Sequence, residues 1–218
     1  MNVILCYGDS NTHGTKPVNA NQTLTRYTRG VPWPDKMGSA LGTEYLVISE
    51  GLPGRTTVHD DPISGGMRSG IKLLSATLHS HEPIDLLVLM LGTNDLKFQF
   101  SSSSFDIAQS VDRIIKETKW HAPGLDIMII SPASVSPSGV MSDLFSGAEI
   151  LQKDLSTHLQ HVALMRGTGF MDADDYVKVS PIDGVHWGEA AHNTFGTVAA
   201  QAVLNRLNKI KTYSIKSA

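Results

Sequence analysis

The fold is decided by the stretch Val3-Ile4-Leu5-Cys6-Tyr7-Gly8-Asp9-Ser10, an apolar run that stops at a glycine and two polar residues. A nearly continuous apolar run of this length is typical of a strand that is covered on both faces. The residues after it lie at the carboxyl end of that strand, where Gly8 permits a tight backbone turn. The stretch therefore predicts a buried strand, Asn2–Tyr7, that presents the Ser10 hydroxyl at its end.

Similar apolar runs recur along the chain and alternate with longer stretches in which apolar residues have helical spacing. The other predicted strands are Tyr45–Ser49, Ile84–Leu91, Leu125–Ile130 and Gly169–Asp172. The predicted helices are Trp33–Leu41, Met67–His79, Phe105–Trp120, Ala148–Arg166 and Glu189–Ile210. This alternation predicts an α/β fold with a parallel sheet, right-handed crossovers and helices on both faces. Because the sequence contains no linker, repeat or low-complexity tract, residues 1–218 are predicted to form a single domain.

Three long segments between these elements have neither strand nor helix patterns, namely Asn11–Pro32, Gly51–Gly66 and Ser131–Ser146. Each follows a predicted strand, so all three are expected at the carboxyl edge of the sheet, where open α/β sheets bind ligands. The third segment carries apolar residues that are expected to be exposed, and these are Val135, Val140, Met141, Leu144 and Phe145. Exposed apolar patches favour subunit contacts, so a homo-oligomer is expected.

The composition argues against several classes of partner. Apolar residues make up 41% of the chain, charged residues 18%, and the formal net charge is -3 with no basic block. This balance argues against nucleic acid or an anionic membrane as the main partner. No apolar run approaches the ~20 residues that cross a bilayer, and no signal-peptide pattern is present, so a cytoplasmic location is expected. The only cysteine, Cys6, leaves no intrachain disulfide possible.

Polar motifs follow four of the predicted strands. They are Gly8-Asp9-Ser10, Gly51-Leu52-Pro53-Gly54-Arg55-Thr56, Gly92-Thr93-Asn94-Asp95 and Asp183-Gly184-Val185-His186-Trp187. Each motif alone is typical of an ordinary turn or helix cap. Together they offer a serine nucleophile, oxyanion donors, a histidine base and an aspartate that orients the base. This is the set of groups that acyl transfer needs.

On these motifs the chain resembles the SGNH hydrolases, also called GDSL-like esterases, whose blocks are named for Ser, Gly, Asn and His. Ser10, Gly54, Asn94 and His186 match those four positions, and Asp183 matches the acid of the family. The flanking residues are similar to those of bacterial arylesterases and acyltransferases. These flanking stretches are Glu50-Gly51-Leu52, Arg55-Thr56-Thr57, Met90-Leu91-Gly92-Thr93-Asn94-Asp95 and Asp183-Gly184-Val185-His186.

The resemblance implies a flavodoxin-like three-layer α/β/α sandwich with a five-stranded parallel sheet, and neither a metal nor an organic cofactor. It implies an oxyanion hole made of the Ser10 and Gly54 backbone N–H groups and the Asn94 side chain. It further implies a carboxylic ester hydrolase for short acyl esters, acetyl above all, in which Ser10 attacks the ester. His186 would act as the base and Asp183 would stabilise its imidazolium form. Acyl transfer to alcohols is a second activity that the resemblance implies.

Several residues around these motifs are expected to have structural roles. The family's usual leucine after the nucleophile is Asn11 here, a change that is expected to affect local packing or substrate contact. Asp9 and Asp95 are expected to brace their turns through hydrogen bonds. Trp187 is expected to pack against the last helix, and His192 to be structural or on the surface.

Two other functions stay open on the sequence. Gly8-Asp9 and Asn94-Asp95 faintly resemble the metal-ligand motifs of metallophosphoesterases, although a two-metal site needs further His and Asp ligands. A flavodoxin-like nucleotide-binding module is the non-enzymatic alternative. Against it, the chain has no Gly-rich phosphate loop, and Asp9 puts negative charge where such a loop needs N–H groups.

Overall fold

A five-stranded parallel sheet forms the centre of the computed structural model, which describes residues 1–136 and 138–216. Its strands are β1 (Asn2–Gly8), β2 (Tyr45–Gly51), β3 (Leu86–Met90), β4 (Asp126–Ser131) and β5 (Gly169–Asp172). The strands are arranged in the order β2-β1-β3-β4-β5, and every neighbouring pair is parallel. This is the flavodoxin-like order, so the predicted fold class is confirmed. Pro137 of the predicted loop Ser131–Ser146 and the last two residues of the predicted domain lie outside the described residues.

Helices cover both faces of the sheet. They are α1 (Ser10–His13), α2 (Trp33–Leu41), α3 (Gly70–His81), α4 (Ser104–His121), α5 (Ala148–Leu151), α6 (Leu155–Arg166) and α7 (Glu189–Lys216). The contacts between helices divide them into two layers, with α2 against α7 on one face and α3, α4 and α6 together on the other. Within the described part of the chain, no helix is both long enough and apolar enough to cross a bilayer.

The central strands are buried because both of their faces are covered. In β1, Leu5 and Tyr7 pack in one apolar cluster, whereas Ile4 and Cys6 pack in the cluster on the opposite face. All four side chains are fully buried. Successive side chains of a strand point to opposite faces, so a strand between two helical layers needs apolar residues at every position. This explains why β1 has a continuous apolar run rather than an alternating one.

The predicted helix Ala148–Arg166 is wrong as a single element, because the structure divides it into α5 and α6. The break occurs at Asp154, whose φ of 65° lies in the left-handed region and cannot continue a right-handed helix. Just before it, the Gln152 side chain accepts from Val135 N–H at 2.8 Å and donates to the Val135 carbonyl at 2.9 Å. The turn between the helices therefore holds the preceding loop in place.

The prediction that Asn11–Pro32 is a loop is wrong at its start, because its first residues belong to the short helix α1. Asp9 caps this helix, since its Oδ1 accepts from the Asn11 N–H at 2.9 Å. The expectation that Asp9 braces the turn is thus confirmed. A Cβ on Gly8 would overlap the Thr12 side chain and lie 2.9 Å from the Met90 carbonyl oxygen, so this position requires glycine.

The predicted start of helix Met67–His79 is wrong, because the helix begins at Gly70, three residues later than predicted. The backbone before it pairs with the loop after β2 instead of turning into a helix. Thr56 N–H donates to the Arg68 carbonyl at 3.1 Å, and Gly70 N–H donates to the Thr56 carbonyl at 3.1 Å. Residues 67–69 thus form hydrogen bonds to a segment distant in sequence instead of a helical turn. The apolar pattern of the sequence does not predict these bonds.

The expected apolar patch on loop 131–146 is not formed. Val135 and Phe145 are buried, with 4% and 2% of their surface exposed. Met141 and Leu144 are partly buried and pack against the same apolar cluster, and of the five residues only Val140 is exposed. The loop folds back on its own chain because these side chains find a partner there. Homo-oligomerisation stays a prediction, without this patch to support it.

A buried carboxylate ties the loop after β2 to the end of β3. The Asp95 carboxylate accepts from the Thr57 N–H at 3.0 Å and from the Thr57 hydroxyl, which confirms its expected bracing role. Asp95 is 1% exposed. Burial raises the pKa of Asp95 to about 7, and the hydrogen bonds from Thr57 oppose this rise only in part. A proton on Asp95 therefore stabilises the folded state.

We expect Asp95→Asn to change how stability depends on pH. Between the unfolded pKa near 4 and the folded pKa of about 7, the folded wild type holds a proton that the unfolded chain has lost. This contribution is complete below the unfolded pKa and is lost as the pH rises through about 7. Asparagine stays uncharged, so the variant should gain stability relative to wild type, by at most about 4 kcal/mol, between pH 4 and pH 8.

Urea unfolding at several pH values measures this difference. Asp143→Asn removes an exposed carboxylate and is the matched control, for which we expect a nearly constant difference from wild type. If the stabilities of Asp95→Asn and wild type stayed parallel from pH 4 to pH 8, the raised pKa of Asp95 would be contradicted.

Candidate active site

A cavity of about 180 Å³ opens at the carboxyl edge of the sheet, where the polar motifs follow the strands. It is lined by Ser10, Leu24, Pro53, Gly54, Ser64, Arg68, Asn94, Lys97, Met141, Leu144, Phe145, Val185 and His186. The structure thus brings four predicted site residues, from four distant segments, to one cavity. These four are Ser10, Gly54, Asn94 and His186. The fifth, Asp183, is fully buried next to the His186 ring.

Ser10 reaches the cavity because β1 ends just before it. It is the first residue of α1, and 3% of its surface is exposed. The tight turn at Gly8 and the cap at Asp9 fix the backbone on its amino side. Within the described residues, neither the Ser10 hydroxyl nor His186 Nε2 has a hydrogen-bond partner. Both groups are therefore able to interact with a bound molecule or with one another.

The His186 ring is oriented by Asp183 in its own loop. Nδ1 of His186 lies 2.7 Å from Asp183 Oδ2, and the His186 backbone N–H donates to Asp183 Oδ1 at 2.9 Å. Because a carboxylate accepts hydrogen bonds, Nδ1 carries the proton in this arrangement. The lone pair of the neutral ring is then on Nε2, which can accept a proton from a hydroxyl group.

Asp183 stays ionised because it receives four hydrogen bonds. Besides His186, the Val185 N–H donates to Oδ1 at 3.0 Å and the Val18 N–H donates to Oδ2 at 2.9 Å. Burial alone would raise the pKa of Asp183, but the hydrogen bonds from the His186 ring and backbone outweigh this and hold the pKa below its usual value.

Gly54 and Asn94 line the cavity from the segments that follow β2 and β3. Gly54 has a φ of 79°, a left-handed conformation that strains any residue with a Cβ. The Asn94 amide donates to the Arg55 carbonyl at 3.1 Å, which ties it to the residue after Gly54. A side-chain amide has two N–H donors, so the second N–H of Asn94 is left for the cavity.

Arg55 supports the Gly54 loop, a role that the sequence did not predict. It is 3% exposed, and its Nη1 donates to the carbonyls of Gly8, at 2.8 Å, and Glu50. The guanidinium also lies over the Tyr7 ring, 4.0 Å from the ring centre. Arg55 thereby links the ends of β1 and β2. Its position directly after Gly54 is the one signal in the sequence that could have indicated this role.

Trp187 and His192 are structural, as expected. Trp187 is fully buried, does not line the cavity, and packs against Phe195 of α7 with ring centres 4.9 Å apart. His192 is fully buried and its Nδ1 accepts from the Trp33 N–H at 3.3 Å. Burial, together with the proximity of His186, lowers the pKa of His192 to about 4. His192 is therefore neutral at physiological pH.

The donor set for a metal site is not present in the described residues. The side chains described, those of residues 1–136 and 138–208, include no group of three His, Cys, Asp or Glu arranged to hold a metal ion. Asp9 and Asp95, which suggested a metallophosphoesterase, instead accept hydrogen bonds from Asn11 and Thr57. These two carboxylates are thus used to hold the backbone around the cavity.

Comparisons with known proteins identify the family. Residues 6–193 match the model of the GDSL-like lipase/acylhydrolase family. An aryl esterase of M. smegmatis is 30% identical, with a TM-score of 0.90 over 94% of this chain and 100% of that protein. A carbohydrate acetylesterase of Sinorhizobium meliloti is also 30% identical, with a TM-score of 0.90 over 94% of this chain and 99% of that protein.

A second structure, of a carbohydrate acetylesterase family member from S. meliloti, is 31% identical, with a TM-score of 0.88 over 95% of this chain and 100% of that protein. No curated protein matches the chain at a significant level. The family model and these structures agree with the motifs at the cavity, and they exclude the non-enzymatic alternative. The chain belongs to the GDSL-like lipase/acylhydrolase family of SGNH hydrolases and is a carboxylic ester hydrolase.

Proposed function

We propose that the protein hydrolyses short acyl esters, of the acetyl type, with Ser10 as nucleophile, His186 as general base and Asp183 as the residue that orients the base. One observation carries this proposal. Ser10 and His186 line the same cavity, and Nδ1 of His186 lies 2.7 Å from Asp183 Oδ2, which directs Nε2 of the ring away from the carboxylate and leaves it free to accept a proton. A hydroxyl and an imidazole lone pair in one cavity are the two groups that nucleophilic acyl transfer requires.

The reaction proceeds in two halves. His186 Nε2 takes the Ser10 proton as the Ser10 oxygen attacks the ester carbonyl, and the negative charge of Asp183 stabilises the imidazolium. The tetrahedral intermediate then collapses, the imidazolium gives its proton to the leaving alcohol, and an acyl-enzyme remains. Water attacks the acyl carbonyl with His186 again as base, the bond between the acyl carbon and Ser10 Oγ breaks, and His186 returns its proton to Ser10 as the carboxylic acid leaves. A second alcohol in place of water gives acyl transfer.

The oxyanion of the tetrahedral intermediate is stabilised by three donors. They are the backbone N–H groups of Ser10 and Gly54 and the second amide N–H of Asn94. The proposal is supported by the position of all three residues on the cavity wall and by the hydrogen bond that fixes the Asn94 amide against Arg55. Donors that are fixed before the reaction stabilise developing charge without a cost of reorganisation.

The size of the cavity supports a small acyl group. Its volume of about 180 Å³ is below the roughly 300–1,000 Å³ of sites for drug-sized ligands. Several of its walls are apolar, among them Leu24, Met141, Leu144 and Phe145. These walls suit a short alkyl chain next to the carbonyl. The relatives named for aryl and carbohydrate acetyl esters are consistent with a small acyl group and a larger alcohol.

We expect Ser10→Ala to abolish the burst of product release that marks acyl-enzyme formation, because the attacking oxygen is removed. The measurement is stopped-flow absorbance with p-nitrophenyl acetate. Ser80→Ala changes an exposed serine of α3 and is the matched control, with activity expected to stay at the wild-type level. Near wild-type hydrolysis by Ser10→Ala would contradict Ser10 as the nucleophile.

Asn94→Ala should lower kcat by about 100- to 1,000-fold, because one of three oxyanion donors is lost. KM should change much less, since the oxyanion exists only after attack. Steady-state kinetics measure both values, and the thermal midpoint shows whether the lost bond to Arg55 has altered the fold. A large rise in KM with an unchanged kcat would assign Asn94 to ground-state binding instead.

A series of p-nitrophenyl esters tests the size of the acyl group. We expect kcat/KM to be highest for acetate, lower for butyrate and much lower for octanoate, because the longer chains exceed the cavity. Phe145→Ala removes part of the apolar wall and so enlarges the cavity, which should shift the preference toward the longer chains. A wild-type preference for octanoate would contradict the proposed acyl size while leaving the roles of Ser10 and His186 intact.

A further inference from the structure

Asn11 joins the nucleophile's helix to the loop that carries His186. It follows Ser10 directly in α1 and is 3% exposed. Its Nδ2 donates to the Val185 carbonyl at 3.1 Å, and its Oδ1 accepts from the Trp187 N–H at 3.0 Å. The amide thus bonds to the residue on each side of His186. Asn11 itself does not line the cavity.

The other hydrogen bonds of His186 lie within its own loop. Its N–H donates to Asp183 at 2.9 Å, and its carbonyl accepts from the Ser180 N–H at 2.8 Å. These bonds fix the shape of the loop and the rotation of the ring. They leave open how far the loop stands from α1, which depends on contacts between the two segments. The paired bonds of Asn11 are such contacts, one residue away from both Ser10 and His186.

We propose that Asn11 is a positioning residue that sets the distance and angle between the His186 ring and the Ser10 hydroxyl. The inference rests on the proposed roles of these two groups. An amide suits this task because it offers a donor and an acceptor side by side. These match the carbonyl of Val185 and the N–H of Trp187 in the loop that carries His186. Leucine at this position would leave a buried carbonyl and a buried N–H without these bonds.

The chain holds a second amide clamp of the same kind for comparison. The Gln152 side chain binds both backbone groups of Val135, at 2.8 and 2.9 Å, near the same edge of the sheet. Val135 is not adjacent to Ser10 or His186 in sequence, and neither it nor Gln152 lines the cavity with the two reacting groups. Removing this clamp should lower stability and, because Met141, Leu144 and Phe145 of the loop it holds line the cavity, should change KM more than kcat. It therefore separates a positioning role from a purely structural one.

Asn11→Leu and Gln152→Leu are compared with wild type for kcat, KM, the burst rate with p-nitrophenyl acetate and the thermal midpoint. We expect both variants to be less stable. Asn11→Leu should in addition lower kcat and the burst rate by about 10- to 100-fold, the size of effect that small misplacements of reacting groups produce. KM should stay within about threefold of wild type, as no residue of the cavity wall has changed.

Asn11→Asp keeps the shape of the side chain and the acceptor for the Trp187 N–H but loses the donor to Val185. Asn11→Asp provides the same test if the leucine variant does not fold. We again expect a fall in kcat with little change in KM. If either folded variant kept the kcat and burst rate of wild type, the positioning role would be overturned. Ser10→Ala in the same assays tests the underlying mechanism, because its full activity would overturn the proposed function itself.

Discussion

A strand covered on both faces can place polar side chains only beyond its ends, and this constraint organises the whole protein. In β1 the four residues from Ile4 to Tyr7, and in β3 all five residues, are apolar and buried. The strands are parallel, so their carboxyl ends meet at one edge, and the polar motifs after them meet there as well. Burial of the sheet thus determines where the cavity forms.

The three buried aspartates of the polar motifs, Asp9, Asp95 and Asp183, are in different electrostatic states. Asp183 receives hydrogen bonds from a ring and three backbone groups, and these hold its pKa low enough for a permanent charge. Asp9 and Asp95 are fully buried with fewer donors, and burial raises the pKa of both. Of these three carboxylates, Asp183 is therefore the one whose charged form is favoured. The other two carboxylates shape the turns that carry Ser10 and Asn94.

The strands and the residues of the cavity could be predicted from the sequence because both have local signals. The apolar runs predicted the ends of each strand to within two residues. The motifs after them predicted that Ser10, Gly54, Asn94 and His186 lie at the site, and all four line the cavity. The errors arose where contacts distant in sequence decide the structure. The left-handed turn at Asp154 and the buried side chain of Phe145 depend on neighbours that no local pattern shows. The same holds for the support that Arg55 gives to the Gly54 loop.

The folding of loop 131–146 back onto its own chain has a consequence for the evolution of substrate preference. Phe145 belongs to the main apolar cluster and also forms part of the cavity wall, as does the partly buried Leu144. A change that widens the site for a bulkier acyl group therefore removes core packing, and truncating a buried phenylalanine typically costs about 3–5 kcal/mol. Because the same side chains determine acyl-group selectivity and the free energy of unfolding, a new specificity would have to arise together with compensating changes elsewhere in the core.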